Sequence, residues 1–166
     1  DPIHVWRVYH TVKIQLLDYW NRTRYSCLMK ILVEKSLPLL AFFLPFFLYI
    51  LTLAPVYIPV DSAEFTTCMY VWGICHSPGF PLYVLVGKIF TEFFPFGAVI
   101  FKANLLSALF GAATILLVYL TLLKLKVRPG IALLVSFLLA VSPTFWEFSI
   151  ATDVFTFNTF LLSLTF

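Results

Sequence analysis

Long uninterrupted apolar runs, rather than alternation, set the pattern of this chain. Residues 36–54 run without a charge, residues 103–123 do the same, and 131–148 form a third run that closes on Pro143, Trp146 and Glu147. About 20 apolar residues suffice to cross the hydrocarbon core of a bilayer, so each run predicts a membrane-spanning helix. Pro38 and Pro45 lie inside the first run. Membrane helices tolerate internal proline because neighbouring groups re-satisfy the freed backbone. Ser107, Ala108, Gly111, Ala112 and Ala113 in the second run would let another helix approach closely. A fourth apolar segment covers 154–166.

Between the first two runs the pattern breaks. Residues 55–102 hold Pro55, Pro59, Pro78, Pro81 and Pro95, together with Asp61, Glu64, His76, Lys88, Glu92 and Lys102. The apolar stretches 63–75 and 82–94 are shorter than a span and carry charges, so they predict short interfacial or re-entrant helices. In residues 1–35 aromatic and aliphatic positions alternate with Arg7, Lys13, Arg22 and Arg24. That suits a basic amphipathic segment on the cytosolic membrane surface, and a solvated extension fits equally well. The chain begins at Asp1 without an initiator Met and stops at Phe166 inside an apolar run. Both ends are therefore expected to be interior to a longer protein.

Composition agrees with a membrane environment. Apolar residues make up 61% of the chain and charged residues 11%, against about 45–50% and about 25% in soluble domains. The net charge of +3 matters less than where it sits. Six Lys/Arg precede the first run and Lys124, Lys126 and Arg128 lie between the second and third, while the long loop has only Lys88 and Lys102. Positive residues favour the cytoplasmic side, which places 1–35 and 124–130 there and 55–102 and 149–153 on the exoplasmic face. The sequon at Asn21 would then be cytosolic and reads as a chance match. The chain is thus expected to be an all-α, multi-pass membrane protein on which Asp61, Glu64, His76 and Asp153 can meet at one exoplasmic site.

Each of those residues also has a plainer reading. Asp61 and Asp153 are natural helix caps, and Glu64 suits a first helical turn. A lone histidine is usually a structural hydrogen-bonder. Against this, carboxylates beside apolar membrane sequence are costly to desolvate and tend to mark a substrate path, and a partly desolvated carboxylate can act as a general base. The loop 76–82, His-Ser-Pro-Gly-Phe-Pro-Leu, is stiffened by Pro78 and Pro81 and turned by Gly79. Cys27, Cys68 and Cys75 have no metal-ligand spacing. On a shared helix Cys68 and Cys75 would stand about 10 Å apart, so no bridge is expected between them. There is no phosphate-cradling Gly-rich loop, no His/Cys metal constellation and no Ser-His-Asp spacing. The basic residues suit a membrane surface rather than nucleic acid.

Several segments follow one another in a recognisable order: Asp61-Ser-Ala-Glu64, His76-Ser-Pro-Gly-Phe-Pro-Leu-Tyr83, Pro95-Phe-Gly97, Lys102-Ala-Asn104, Ser142-Pro-Thr-Phe-Trp146 and Asp153-Val-Phe-Thr-Phe-Asn158. Over residues 40–166 the run resembles the amino-terminal part of the membrane protein O-mannosyltransferase family of the plexin and MET-receptor type. That resemblance implies the C-type glycosyltransferase (GT-C) fold, a polytopic helical bundle with a catalytic acid in its first exoplasmic loop. It further implies a polyprenyl- or dolichyl-phosphate sugar donor, a protein or glycan acceptor, and the endoplasmic reticulum or bacterial plasma membrane as location. Carried over, Asp61 would be the catalytic base, Glu64 and His76 would position donor or acceptor, and Asp153 would be a second acid in the cavity. No metal ligand is assigned, and a need for a divalent metal stays open. Ser77 stands where relatives usually have Pro, and Asp153 where they more often have Glu.

Two other classes compete. A transporter or channel fragment would use the carboxylates to bind an ion, yet transporters place ionisable groups near mid-membrane in broken helices, and the three runs are uncharged in their middles. An inert scaffold would make no demand on Asp61 or His76.

Overall fold

The computed structural model describes residues 36–56 and 61–166. The amphipathic segment expected for 1–35 lies outside the described residues. Among the described residues seven helices follow in order: α1 (Ser36–Leu51), α2 (Ser62–Val71), α3 (Pro81–Phe93), α4 (Val99–Lys124), α5 (Pro129–Ala140), α6 (Pro143–Ile150) and α7 (Val154–Ser163). No strand occurs among the described residues.

α4 packs against each of the other described helices. Its 26 residues make it the one described helix that is by itself long and apolar enough to cross a membrane. It begins four residues before the expected 103, because Lys102 is accommodated rather than excluded: its Nζ donates to Thr91 O at 2.9 Å near the end of α3. Two apolar clusters pack along α4. One joins Phe65, Cys68 and Met69 of α2, Tyr83 and Val84 of α3, Ala103 of α4 and Phe157 of α7. The other joins Tyr49 of α1, Ala108 and Ile115 of α4, Ala140 of α5 and Phe145 of α6.

The run 131–148 is not one straight helix. α5 and α6 bend by 67° at the break between them, and only the pair together has the length and apolarity of a span. Pro143 is the cause. Proline disfavours the helical region for the residue before it and brings no N–H to the helical ladder, and Ser142 accordingly adopts an extended conformation (φ −64°, ψ 136°). α1 likewise stops short of residue 54. Ala54 precedes Pro55, and its N–H donates to Ile150 O at 3.0 Å instead of continuing the helix. The stretches 63–75 and 82–94 do form short helices, as α2 and α3, but α2 ends at Val71.

That early end corrects the reading of the cysteines. Trp72 caps α2 in the left-handed conformation (φ 58°), and Gly73 N–H donates back to Cys68 O at 2.9 Å. The chain therefore reverses, and Cys75 meets Cys68 in a disulfide with Cα atoms 5.9 Å apart. The 10 Å separation would hold only if one helix carried both residues.

Candidate functional site

The site is built on the first turn of α2 and the loop that returns after it. Asp61 occupies the N-cap position, yet its side chain makes no cap hydrogen bond. Its carboxylate is therefore not committed to the helix. Glu64 lies three residues on, and residues three apart share a helical face. Against that face the loop lays His76. The His76 backbone N–H donates to Glu64 Oε1, and its ring Nδ1 lies 3.0 Å from Glu64 Oε2. The other ring nitrogen, Nε2, is 4.0 Å from Asp61 Oδ2. Rings of Phe65 and Phe80, with centroids at 5.7 and 5.6 Å, flank the imidazole. Gly79 shapes the turn beyond it with φ 88°, which favours glycine, and its N–H donates to His76 O at 2.7 Å.

All three polar side chains are roughly half-exposed, at 38% for Asp61 and 42% for Glu64 and His76. A soluble group could reach them. The His76 backbone N–H, then its ring, hold the Glu64 carboxyl below the usual carboxylate range. Both Glu64 oxygens are engaged by His76, whereas His76 Nε2 and Asp61 face each other with room between.

Asp153 joins from α7. Its Oδ1 accepts from Phe155 N at 2.8 Å, so it does cap its helix. Burial pushes its carboxyl up, the Phe155 N–H works against that, and the charge of Asp61 raises it further while His76 lowers it. Asp153 thus stands within electrostatic reach of Asp61 and His76. Tyr83, buried on α3, lies beside Ser107 and Asp153, and burial drives its phenol well above its ordinary range.

Sequence reasoning assigned no role to Asn104, which is fully buried in α4. Its Nδ2 donates to Ala54 O at 3.0 Å, and its Oδ1 accepts from Thr152 N at 2.8 Å and from Thr152 Oγ1. One side chain thereby ties the chain leaving α1, which leads to Asp61, to the residue preceding Asp153. The signal was present: a lone amide in an apolar span is expensive unless it bonds across helices.

Donor atoms of Asp61, Glu64 and His76 lie within 4.8 Å of one another, a spacing one cation can bridge. Such a cation would have to compete with His76 for Glu64. Glu64, Cys68 and Cys75 form a second close group, but the disulfide takes the sulfurs out of it. A hollow of about 290 Å³ between α2 and the start of α4, lined by Thr66, Thr67, Tyr70, Ala98, Val99 and Ile100, shares no residue with the cluster.

The profile of the protein O-mannosyl-transferase TMEM260 N-terminal domain matches residues 61–166, a stretch that opens on Asp61 and contains all four residues of the cluster. The chain belongs to the TMEM260 family. Among TMEM260 proteins, the protein O-mannosyl-transferase TMEM260 of Mus musculus is 35% identical over 104 residues, which cover 63% of this chain and 15% of that protein. The Dictyostelium discoideum protein O-mannosyl-transferase tmem260 is 26% identical over 119 residues, covering 70% of this chain and 14% of its own length. The chain therefore spans a small part of the length of these TMEM260 relatives. No solved structure gives a significant match.

Proposed function

We propose that this chain is the amino-terminal part of a multi-pass GT-C membrane enzyme. It transfers mannose from a polyprenyl- or dolichyl-phosphate donor to a protein Ser/Thr hydroxyl on the exoplasmic face. The observation that carries this reading is the uncommitted Asp61 carboxylate, half-exposed and 4.0 Å from a histidine that also contacts Glu64. The names of the relatives support mannose as the sugar and a protein as the acceptor. The Cys68–Cys75 disulfide supports the exoplasmic placement of the loop, because disulfides persist on the oxidising side of a membrane.

In this scheme the acceptor oxygen attacks the anomeric carbon and its proton passes to Asp61. The bond from that carbon to the phosphate oxygen breaks on the opposite face, which inverts the centre. The lipid phosphate leaves with the bonding electrons and needs no general acid. His76, hydrogen-bonded to Glu64, orients the acceptor or the departing phosphate, and Asp153 adds negative charge beside the oxocarbenium-like carbon.

Asp61→Asn tests the base. It keeps size and shape and removes the basic carboxylate. Full-length protein should lose about 10²–10⁴-fold in transfer from dolichyl-phosphate mannose to a plexin-type receptor ectodomain, at matched membrane accumulation. Activity within about threefold of wild type rules the role out, since that is far below the 10²-fold expected for a lost base. Glu64→Gln is the comparison, and a larger loss there would exchange the two carboxylates.

A further inference from the structure

No step of the transfer uses the Cys68–Cys75 disulfide, yet it is built into the same turn of chain as His76. Glu64 and Cys68 stand four residues apart on α2, hence one above the other on one face. Cys75 and His76 are neighbours on the returning loop. Two links therefore run side by side from helix to loop: the disulfide, and the Glu64–His76 pair. They differ in strength. The cysteines are 6% and 5% exposed and sit in the core with Phe65, Met69 and Tyr83. The Glu64–His76 pair is 42% exposed on both sides, and exposed ion pairs hold side chains weakly. The loop also carries Ile74 at 91% exposure, so its packing on α2 rests on Cys75 and on the rings of Phe65 and Phe80 beside His76. Beyond the disulfide and Glu64, the loop's backbone bonds to α2 among the described residues only at its start, from Gly73.

We propose that the Cys68–Cys75 disulfide is a positioning device for the transfer site. It fixes where His76 stands against Glu64 and Asp61, so the site works only in its oxidised form. This rests on the transfer reading above, and the experiment separates the two.

Peptide mapping of the full-length protein without reductant should recover residues 68 and 75 as one linked pair; free thiols at both positions overturn the proposal outright. The variant Cys68→Ser/Cys75→Ser is then assayed with dolichyl-phosphate mannose and a plexin-type ectodomain, at matched accumulation. A fall of about tenfold or more in kcat is expected, because displacements near 1 Å at a reacting centre can lose 10²-fold. A purely structural link would give the same fall, so a double-mutant cycle with His76→Ala decides. If the disulfide acts through His76, removing His76 from the cysteine-free protein costs no more than about threefold further, whereas independent effects multiply. Multiplying losses overturn the proposal, as does wild-type kcat without the cysteines.

Should the double variant fail to accumulate, wild-type protein is reduced with a phosphine. The phosphine gives two electrons to the disulfide and becomes its oxide, with water supplying the oxygen and the two thiol protons. Activity should fall and return on reoxidation with oxidised glutathione, and unchanged activity overturns the proposal. If the transfer reading itself fails, wild-type protein with the disulfide intact transfers no mannose to the ectodomain. If only the positioning role fails, Asp61→Asn is inactive and the cysteine-free protein is not impaired.

Discussion

Asp61 and Asp153 each stand immediately before a helix, but only Asp153 accepts a cap hydrogen bond from that helix. The difference yields a prediction for Asp153. Its folded pKa is raised above the ordinary 3.8, first by burial and also by the charge of Asp61. The fold thus favours the protonated carboxyl, and that stability is fully present below the unfolded pKa and lost as pH rises through the folded one. Asn caps helices about as well as Asp and carries no charge. Asp153→Asn should therefore raise the unfolding temperature at pH 7.5, and the gain should shrink as pH approaches 3.8. Asp153→Ala should instead lower stability by about 1 kcal/mol through the lost cap. Thermal unfolding in detergent across that pH range checks both, and a lower unfolding temperature for Asp153→Asn at pH 7.5 would refute the burial argument.

Among the helices, one close approach that can be tested is at Gly111 of α4. A Cβ there would meet Ser149 Oγ of α6 at 2.5 Å and Tyr49 Cε2 of α1 at 3.3 Å. Neither neighbour yields easily. Ser149 Oγ already donates to Phe145 O at 2.6 Å, and Tyr49 OH donates to Ala140 O at 2.9 Å. Gly111→Ala should destabilise by about 1–3 kcal/mol, the usual range for overpacking, visible as a lower unfolding temperature. Gly130, near the start of α5, has open space around it. There Gly→Ala should leave stability unchanged or raise it by about 0.4–1 kcal/mol through the unfolded chain. Equal responses at the two glycines would show that α4 does not pack where the structure places it.

The whole molecule hangs on the length of α4. At 1.5 Å per residue its 26 residues extend about 39 Å, enough to separate two membrane faces. α2 and α3, which carry or flank Asp61, Glu64 and His76, pack on its amino-terminal portion through Ala103, and Lys124 closes the other end. The expected outcome in sealed vesicles is that a thiol reagent added from the exoplasmic side labels Phe93→Cys, a position 83% exposed. Lys126→Cys should be labelled only from the cytoplasmic side. Labelling of position 93 from the cytoplasmic side alone would dissolve the proposed site, because Asp61 and His76 would then face the wrong compartment for a disulfide-stabilised loop.

Local features were legible from the residues. The existence of α2, the extent of α3, the run that became α4, and the i, i+3 relation of Asp61 and Glu64 follow from apolar run length, proline placement and helical geometry, all of which act within about one turn. Long-range features were not. Apolar patterning carried the first short helix to residue 75, whereas the left-handed Trp72 ended it, and the bond from Gly73 N–H to Cys68 O marks where the chain turns back. That reversal made the disulfide and seated His76 on Glu64. Asn104 reaches Thr152 across 48 residues of sequence, a pairing that no local periodicity encodes. Composition and pattern decided which segments become helices, because helix formation is settled by neighbours along the chain. Which side chains share a site was decided by where those helices stop, and that depends on groups distant in sequence competing for the same backbone and the same buried space.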